Sequence, residues 1–210
     1  MPYSNKIIIT KLVYLSFYFA LILLLSFTNI GLIQIGPIAI NLVTFILIIS
    51  AAHLGFWGSF FGGIMLGMAS FLSALAFGRI LFSYPDIAIL PRLILGVLVF
   101  IYVKIAETLV FKKFRKNSNL FRFWIKTLVF VFVGILTAAT NTFLVTVVIF
   151  IHKALFRLDA IGSIEFWLAL IWVNALLELI FLGLLSGVFA TFLIRIAKNK
   201  RKNWYFNNRW

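Results

Sequence analysis

Cysteine is absent from the chain, which excludes disulfides and thiolate metal sites and says nothing about compartment. Histidine occurs only as His53 and His152, too far apart in the chain to suggest a metal site. Acidic residues number 5 against 19 lysines and arginines, a net charge of +14. Charged residues together are only 11%, whereas hydrophobic residues reach 64% with a mean hydropathy of +1.14. That composition is far from the norm for soluble domains and defines a polytopic integral membrane protein built of helices. The sequence also lacks a G-x-x-x-x-G-K-S/T loop, a nucleophile–base pair and zinc-ligand spacing. No catalytic residue, cofactor or metal is therefore expected on it.

What is present is a succession of apolar runs. Six are long enough to span hydrocarbon, at about 7–28, 38–54, 59–77, 87–110, 123–151 and 164–196. The expected fold class is all-α, a single six-transmembrane-helix bundle over 1–210. The first run is too long for a signal-peptide core and has no small-residue cleavage site after it, so it counts as a span. Six spans put both termini on one side. Lys6 and Lys11, the basic loop Lys112–Arg122 and the tail from Arg195 to Arg209 share that side. Arg79, Arg92, Lys153 and Arg157 fall on the other. The positive-inside rule then makes both termini cytoplasmic in a multi-pass plasma-membrane protein. The basic excess is a topology signal with attraction to anionic lipid. No aromatic-interleaved basic patch calls for nucleic acid, and Trp204–Trp210 suits an interfacial anchor.

Small residues mark where helices meet. Gly55, Ser59, Gly63 and Gly67 recur every four residues, Gly58 and Gly62 form a second row, and Gly183 and Gly187 repeat the spacing. In lipid such rows let backbones approach closely, and packing inside the bundle accounts for them. Ser16 and Ala20 form a weaker pair on a first span otherwise coated with Leu, Ile and Phe, suited to docking a partner helix.

The segment Gly78–Gly96, GRILFSYPDIAILPRLILG, interrupts the apolar pattern with two prolines, two arginines and an aspartate. Pro85 reads as part of a turn and Pro91 as a first-turn residue of the next helix. Arg92 then stands at the mouth of a membrane helix, where an intramembrane charge points to function by default. Two readings stay open: an internal Arg–Asp pair of Arg79 or Arg92 with Asp86 that fixes the turn, or a recess for a polar or anionic molecule. Other polar residues fall at the same outer level. Asn41 lies near the outer end of the second span, and Thr137, Thr140, Asn141 and Thr142 interrupt the fifth. Trp167, Ile171, Asn174 and Glu178 descend one stripe of the sixth. Singly, each is explained by a helix–helix hydrogen bond. Together, Asn41, Arg79, Arg92, Asn141, Trp167, Asn174 and Glu178 are expected to line a substrate-binding cavity open to the outside.

Three stretches carry a resemblance to a known family: IGPIAINLVTFILIISAAHLG (Ile35–Gly55), YPDIAILPRLILGVLV (Tyr84–Val99) and GILTAATNTFLVTVVIFIHKALF (Gly134–Phe156). The second is similar to a Pro-then-Pro-Arg-x-x-x-Gly pattern and the third to a Gly-x-x-x-x-x-x-Asn-Thr segment. With six spans and cytoplasmic termini, the chain resembles the substrate-binding S component of energy-coupling factor (ECF) transporters, most of all the pantothenate-type subgroup. It departs from that pattern in GFWG after the second span, where the family often has Gly-Pro, and in Ser16 with Ala20, where it typically has two alanines. The resemblance implies capture of a vitamin or related micronutrient, pantothenate being the best guess, from outside. It also implies partners: a transmembrane coupling subunit, docked through Ser16 and Ala20, and two ATPases that power release inside. Other readings remain: an S component for riboflavin, folate or thiamine, an ion-coupled secondary transporter using Glu178, a membrane enzyme, or a scaffold. The absence of an internal repeat speaks against the secondary transporter, the lack of a catalytic partner for Glu178 against the enzyme, and the outward polar cluster against the scaffold.

Overall fold

The computed structural model describes residues 3–28, 31–35, 38–110, 119–156, 164–190 and 192–196. Among the described residues six α-helices carry the architecture: α1 (Tyr3–Ser26), α2 (Val43–Leu54), α3 (Phe56–Phe77), α4 (Pro85–Thr108), α5 (Asn119–Phe156) and α6 (Ile164–Val188). Two short strands, β1 (Leu32–Ile35) and β2 (Ile38–Asn41), pair antiparallel between α1 and α2, with Leu32 opposite Asn41 and Ile35 opposite Ile38. A 3-10 turn at Ile80–Ser83 joins α3 to α4. Among the described residues, five helical segments are long and apolar enough to cross a membrane, within α1, α3, α4, α5 and α6. Large apolar side chains stand exposed along all five, Val13, Leu75, Ile105, Phe143 and Ile180 among them, as suits a lipid-facing surface.

The second of the expected spans is different. Residues 38–54 do not form one helix: Ile38–Asn41 is a strand, and the helix begins at Val43. Twelve residues rise only about 18 Å, well short of a hydrocarbon core of about 30 Å. Nearly every side chain of α2 is buried, which is why its sequence is apolar all round rather than on one face. It is a central helix, contacted by α1, α3, α4, α5 and α6.

The glycine rows sort by partner. Ser59, Gly63 and Gly67 face α4. A Cβ on Gly63 would stand 2.5 Å from the Arg92 carbonyl oxygen and 3.0 Å from Gly96 Cα, and one on Gly67 would stand 2.8 Å from Ile89 Cα. Ser59 Oγ donates to the Gly96 carbonyl at 2.5 Å. Gly62 faces the other way, towards Leu47 and Ser50 of α2. Gly183 and Gly187 meet Ile135 and Val131 of α5. Gly55, with φ of 68°, allows α2 to reverse directly into α3, a conformation that a residue with a Cβ disfavours. These contacts fix α3 against α4 at the level of Arg92.

On α1 the inward stripe is Tyr18, Ile22 and Ser26, and the Tyr18 hydroxyl bonds His53 Nδ1 at 2.9 Å. Ser16 and Ala20 lie on the exposed side of α1, away from that stripe.

Candidate functional site

Helix α4 begins at Pro85, about two residues before the expected span and a turn and a half before Pro91, and this reorganises the segment around it. Tyr84 is extended and Pro85 is the first helical residue, where a missing N–H leaves no bond unmade. Pro91 is consequently inside the helix rather than in its first turn. An interior proline cannot donate to the carbonyl four residues back, so Ile87 O loses its ladder partner. The next residue supplies the replacement. Arg92 Nη1 donates to Ile87 O at 2.9 Å and to Ala88 O at 3.1 Å. The side chain therefore runs back towards the helix N-terminus, as helical side chains do. The Phe82 ring, delivered by the 3-10 turn, lies 4.8 Å from the guanidinium carbon. Arg92 is only 4% exposed.

The internal Arg–Asp pair is not formed. Asp86 pairs instead with His152 Nδ1 of α5, and no ion pair links it to Arg79 or Arg92. His152 is packed between Tyr84 and Phe156, with ring centroids at 4.6 and 4.7 Å. Arg79 is half-buried, its guanidinium 5.6 Å from the Phe77 ring centroid. Gly78, in the left-handed conformation that ends α3, turns the chain so that Arg79 leads into the 3-10 turn.

Arg92 opens onto a cavity of about 240 Å3. Of the residues expected to contact a ligand, Asn41, Arg79, Arg92, Asn141, Asn174 and Glu178 all line it. They come from β2, the α3–α4 connection, α4, α5 and α6. The Trp167 side chain lies outside the described residues. The cavity also takes Ser26 from α1 and Ser70 and Ser73 from α3, which the sequence reading passed over. Ser70 lies one helical turn beyond Gly67 and Ser73 a further turn on, a continuation of the small-residue row by which they were findable. Phe82 was missed for another reason: a single aromatic in an apolar chain carries no signal until its arginine partner is known.

The polar groups differ in what they are free to do. The Asn41 backbone N–H donates to Glu178 Oε1 at 3.2 Å, tying the strand to α6. Its side-chain Oδ1 accepts from the Val43 N–H at 3.0 Å and so secures the start of α2. Thr137 Oγ1 is turned onto its own helix at Val133 O, and Thr140 bonds Tyr102 across α4 and α5 at 2.9 Å. Thr140 thus makes the helix–helix hydrogen bond of the plainer reading, whereas Thr137 bonds within its own helix. Asn141 is buried with Oδ1 unpartnered. Glu178 is 8% exposed, and no salt bridge joins it to Arg92 although both line the same cavity. The lining thus offers two guanidinium groups, a carboxylate and amides within apolar walls. Comparison with protein-family models and with curated proteins finds no match.

Proposed function

We propose that this protein is the substrate-binding S component of an ECF-type importer. On this reading it crosses the plasma membrane six times with both termini in the cytoplasm, α2 and its preceding hairpin together making the second crossing. It captures a vitamin or related micronutrient, pantothenate being the best guess, from outside. Release inside requires a transmembrane coupling subunit and two ATPases, because the sequence has no nucleotide-binding loop of its own. The observation that carries the reading is the cavity. Polar residues from α1, the hairpin and α3 to α6 converge on one space around a buried arginine. The sequence resemblance described above supplies the family. Arg92 is suited to a carboxylate, since its planar fork makes two parallel charge-assisted hydrogen bonds.

Purifying the protein and identifying the retained small molecule by mass spectrometry tests this function. A vitamin or related acid supports it, and a lipid in the cavity contradicts it. One observation favours a second reading. Glu178 is a buried carboxylate in the cavity, as an ion-coupled carrier requires. Uptake into vesicles lacking ATP would select that carrier over the importer.

A further inference from the structure

Arg92 and Glu178 enter one cavity from α4 and α6, both buried and unpaired with each other. Opposite charges that share a low-dielectric space attract strongly, and each left alone retains its cost of burial. Their separation is maintained because each is anchored elsewhere. Two of the five guanidinium N–H groups of Arg92 go to Ile87 O and Ala88 O, and its guanidinium lies over the Phe82 ring. Glu178 holds the Asn41 N–H through Oε1. Among the described residues, Nε and Nη2 of Arg92 and Oε2 of Glu178 make no hydrogen bond. Asn141 Oδ1 is likewise without a donor and sealed in the protein.

The unused groups fall into two kinds. Arg92 offers donors and needs an acceptor, whereas Glu178 offers an acceptor to the cavity and needs a donor. A simple carboxylic acid satisfies Arg92 and leaves Glu178 facing apolar ligand surface, which for a buried charge is unfavourable. A neutral polyol has the opposite defect. Among the charged cavity residues, Arg79 and Arg92 outnumber Glu178 by one positive charge, which a monoanion would neutralise.

We infer that Glu178 is a specificity-determining residue: the ligand is a monoanionic acid held at Arg92 whose remote O–H or N–H donors are received by Glu178. This rests on the cavity being the ligand site and adds which acids it accepts. Simple acids are rejected because buried acceptors left unpaired discriminate more strongly than apolar contacts do.

The test uses the purified full chain and matched probes: pantothenate, its alcohol counterpart pantothenol, 6-hydroxyhexanoate and hexanoate. Binding is read by thermal stabilisation across a concentration series. The wild-type protein is expected to respond to pantothenate or 6-hydroxyhexanoate at concentrations at least tenfold below hexanoate, and to pantothenol more weakly than to pantothenate. Glu178→Leu should reduce the preference for hydroxy acids to less than twofold. Because that variant also loses the Asn41 bond, Glu178→Gln is measured beside it, keeping an acceptor for Asn41 and giving an intermediate loss. Equal response to hexanoate overturns the inference, as does an unchanged preference in both variants or no response to either hydroxy acid at millimolar concentration. Binding needs no partner subunit. A chain with this selectivity that never associates with ATPases would remove the importer reading and leave the inference standing. An associated chain that binds hexanoate equally well would do the reverse.

Discussion

Pro91 and Arg92 act as a unit, and a double-mutant cycle measures it. Pro91 removes the donor that Ile87 O would receive, and Arg92 Nη1 restores one at 2.9 Å. Ile87 is fully buried, so in Arg92→Ala its carbonyl loses its substitute donor in the interior. The expected cost is about 1–3 kcal/mol. At roughly 2–4 °C per kcal/mol for a chain of this length, the melting temperature should fall by about 2–12 °C. Replacing Pro91 by alanine as well returns a backbone N–H to the same carbonyl. Pro91→Ala should therefore stabilise the Arg92→Ala protein more than it stabilises the wild type, with a coupling of about 1–2 kcal/mol. Ligand binding should follow a different pattern. On the proposed function the cavity-lining guanidinium of Arg92 holds the ligand; it is absent from the single and the double variant, and loss of a buried charged hydrogen bond costs on the order of 2–5 kcal/mol. Pantothenate binding should weaken at least tenfold in Arg92→Ala and should not recover in the double variant. Thermal unfolding without ligand and calorimetric titration with pantothenate separate the two effects. Stabilities that add within about 0.5 kcal/mol would show that Arg92 does not repair the helix. A double variant that binds as wild type would show that Arg92 serves the backbone alone.

Further expectations concern the rest of the molecule. Gly63→Ala should lower stability by about 1–3 kcal/mol, measured by thermal unfolding, because its Cβ would press on the Arg92 carbonyl and on Gly96. A melting temperature equal to wild type would show that α3 and α4 separate freely. Replacing Ser16 and Ala20 together by leucine should abolish uptake and leave binding intact, since both are exposed on α1 and bulky side chains would hold a partner helix away. Equal loss of binding and uptake would place their effect inside the bundle. Single cysteines introduced at Pro85 and Gly162 should react with an impermeant thiol reagent from outside, while one at Asn117 should not. Labelling at Asn117 from outside would invert the proposed topology.

Much of the packing was legible because small residues in lipid have one dominant use. The four-residue spacing of Ser59, Gly63 and Gly67 predicts a close neighbour, and α4 is that neighbour. The convergence of Asn41, Arg92, Asn141 and Glu178 was also legible, since each is polar at a similar depth and each needs a partner other than lipid. Other features were not. Ile38–Asn41 is as apolar as the helix that follows, and hydropathy cannot separate a strand from a buried helical turn over four residues. The sequence LIQIGPIAIN does carry a hairpin signal in two β-prone runs around Gly-Pro, but the run of hydrophobicity outweighed it. Pro91 was assigned to a first turn because proline is commonest there, and only the Arg92 side chain shows how the interior position is tolerated. The pairing of Asp86 with His152 joins residues 66 apart and depends on how α4 and α5 align.

The central claim is that this chain binds and partners drive. It is tested most directly by reconstituting the purified chain in liposomes, alone and with whatever subunits co-purify from native membranes, and following labelled pantothenate. The account predicts that the chain co-purifies with one membrane subunit and two ATPases, that accumulation requires them and ATP, and that the chain alone binds without accumulating. Accumulation by the chain alone, driven by a proton or sodium gradient, would contradict it.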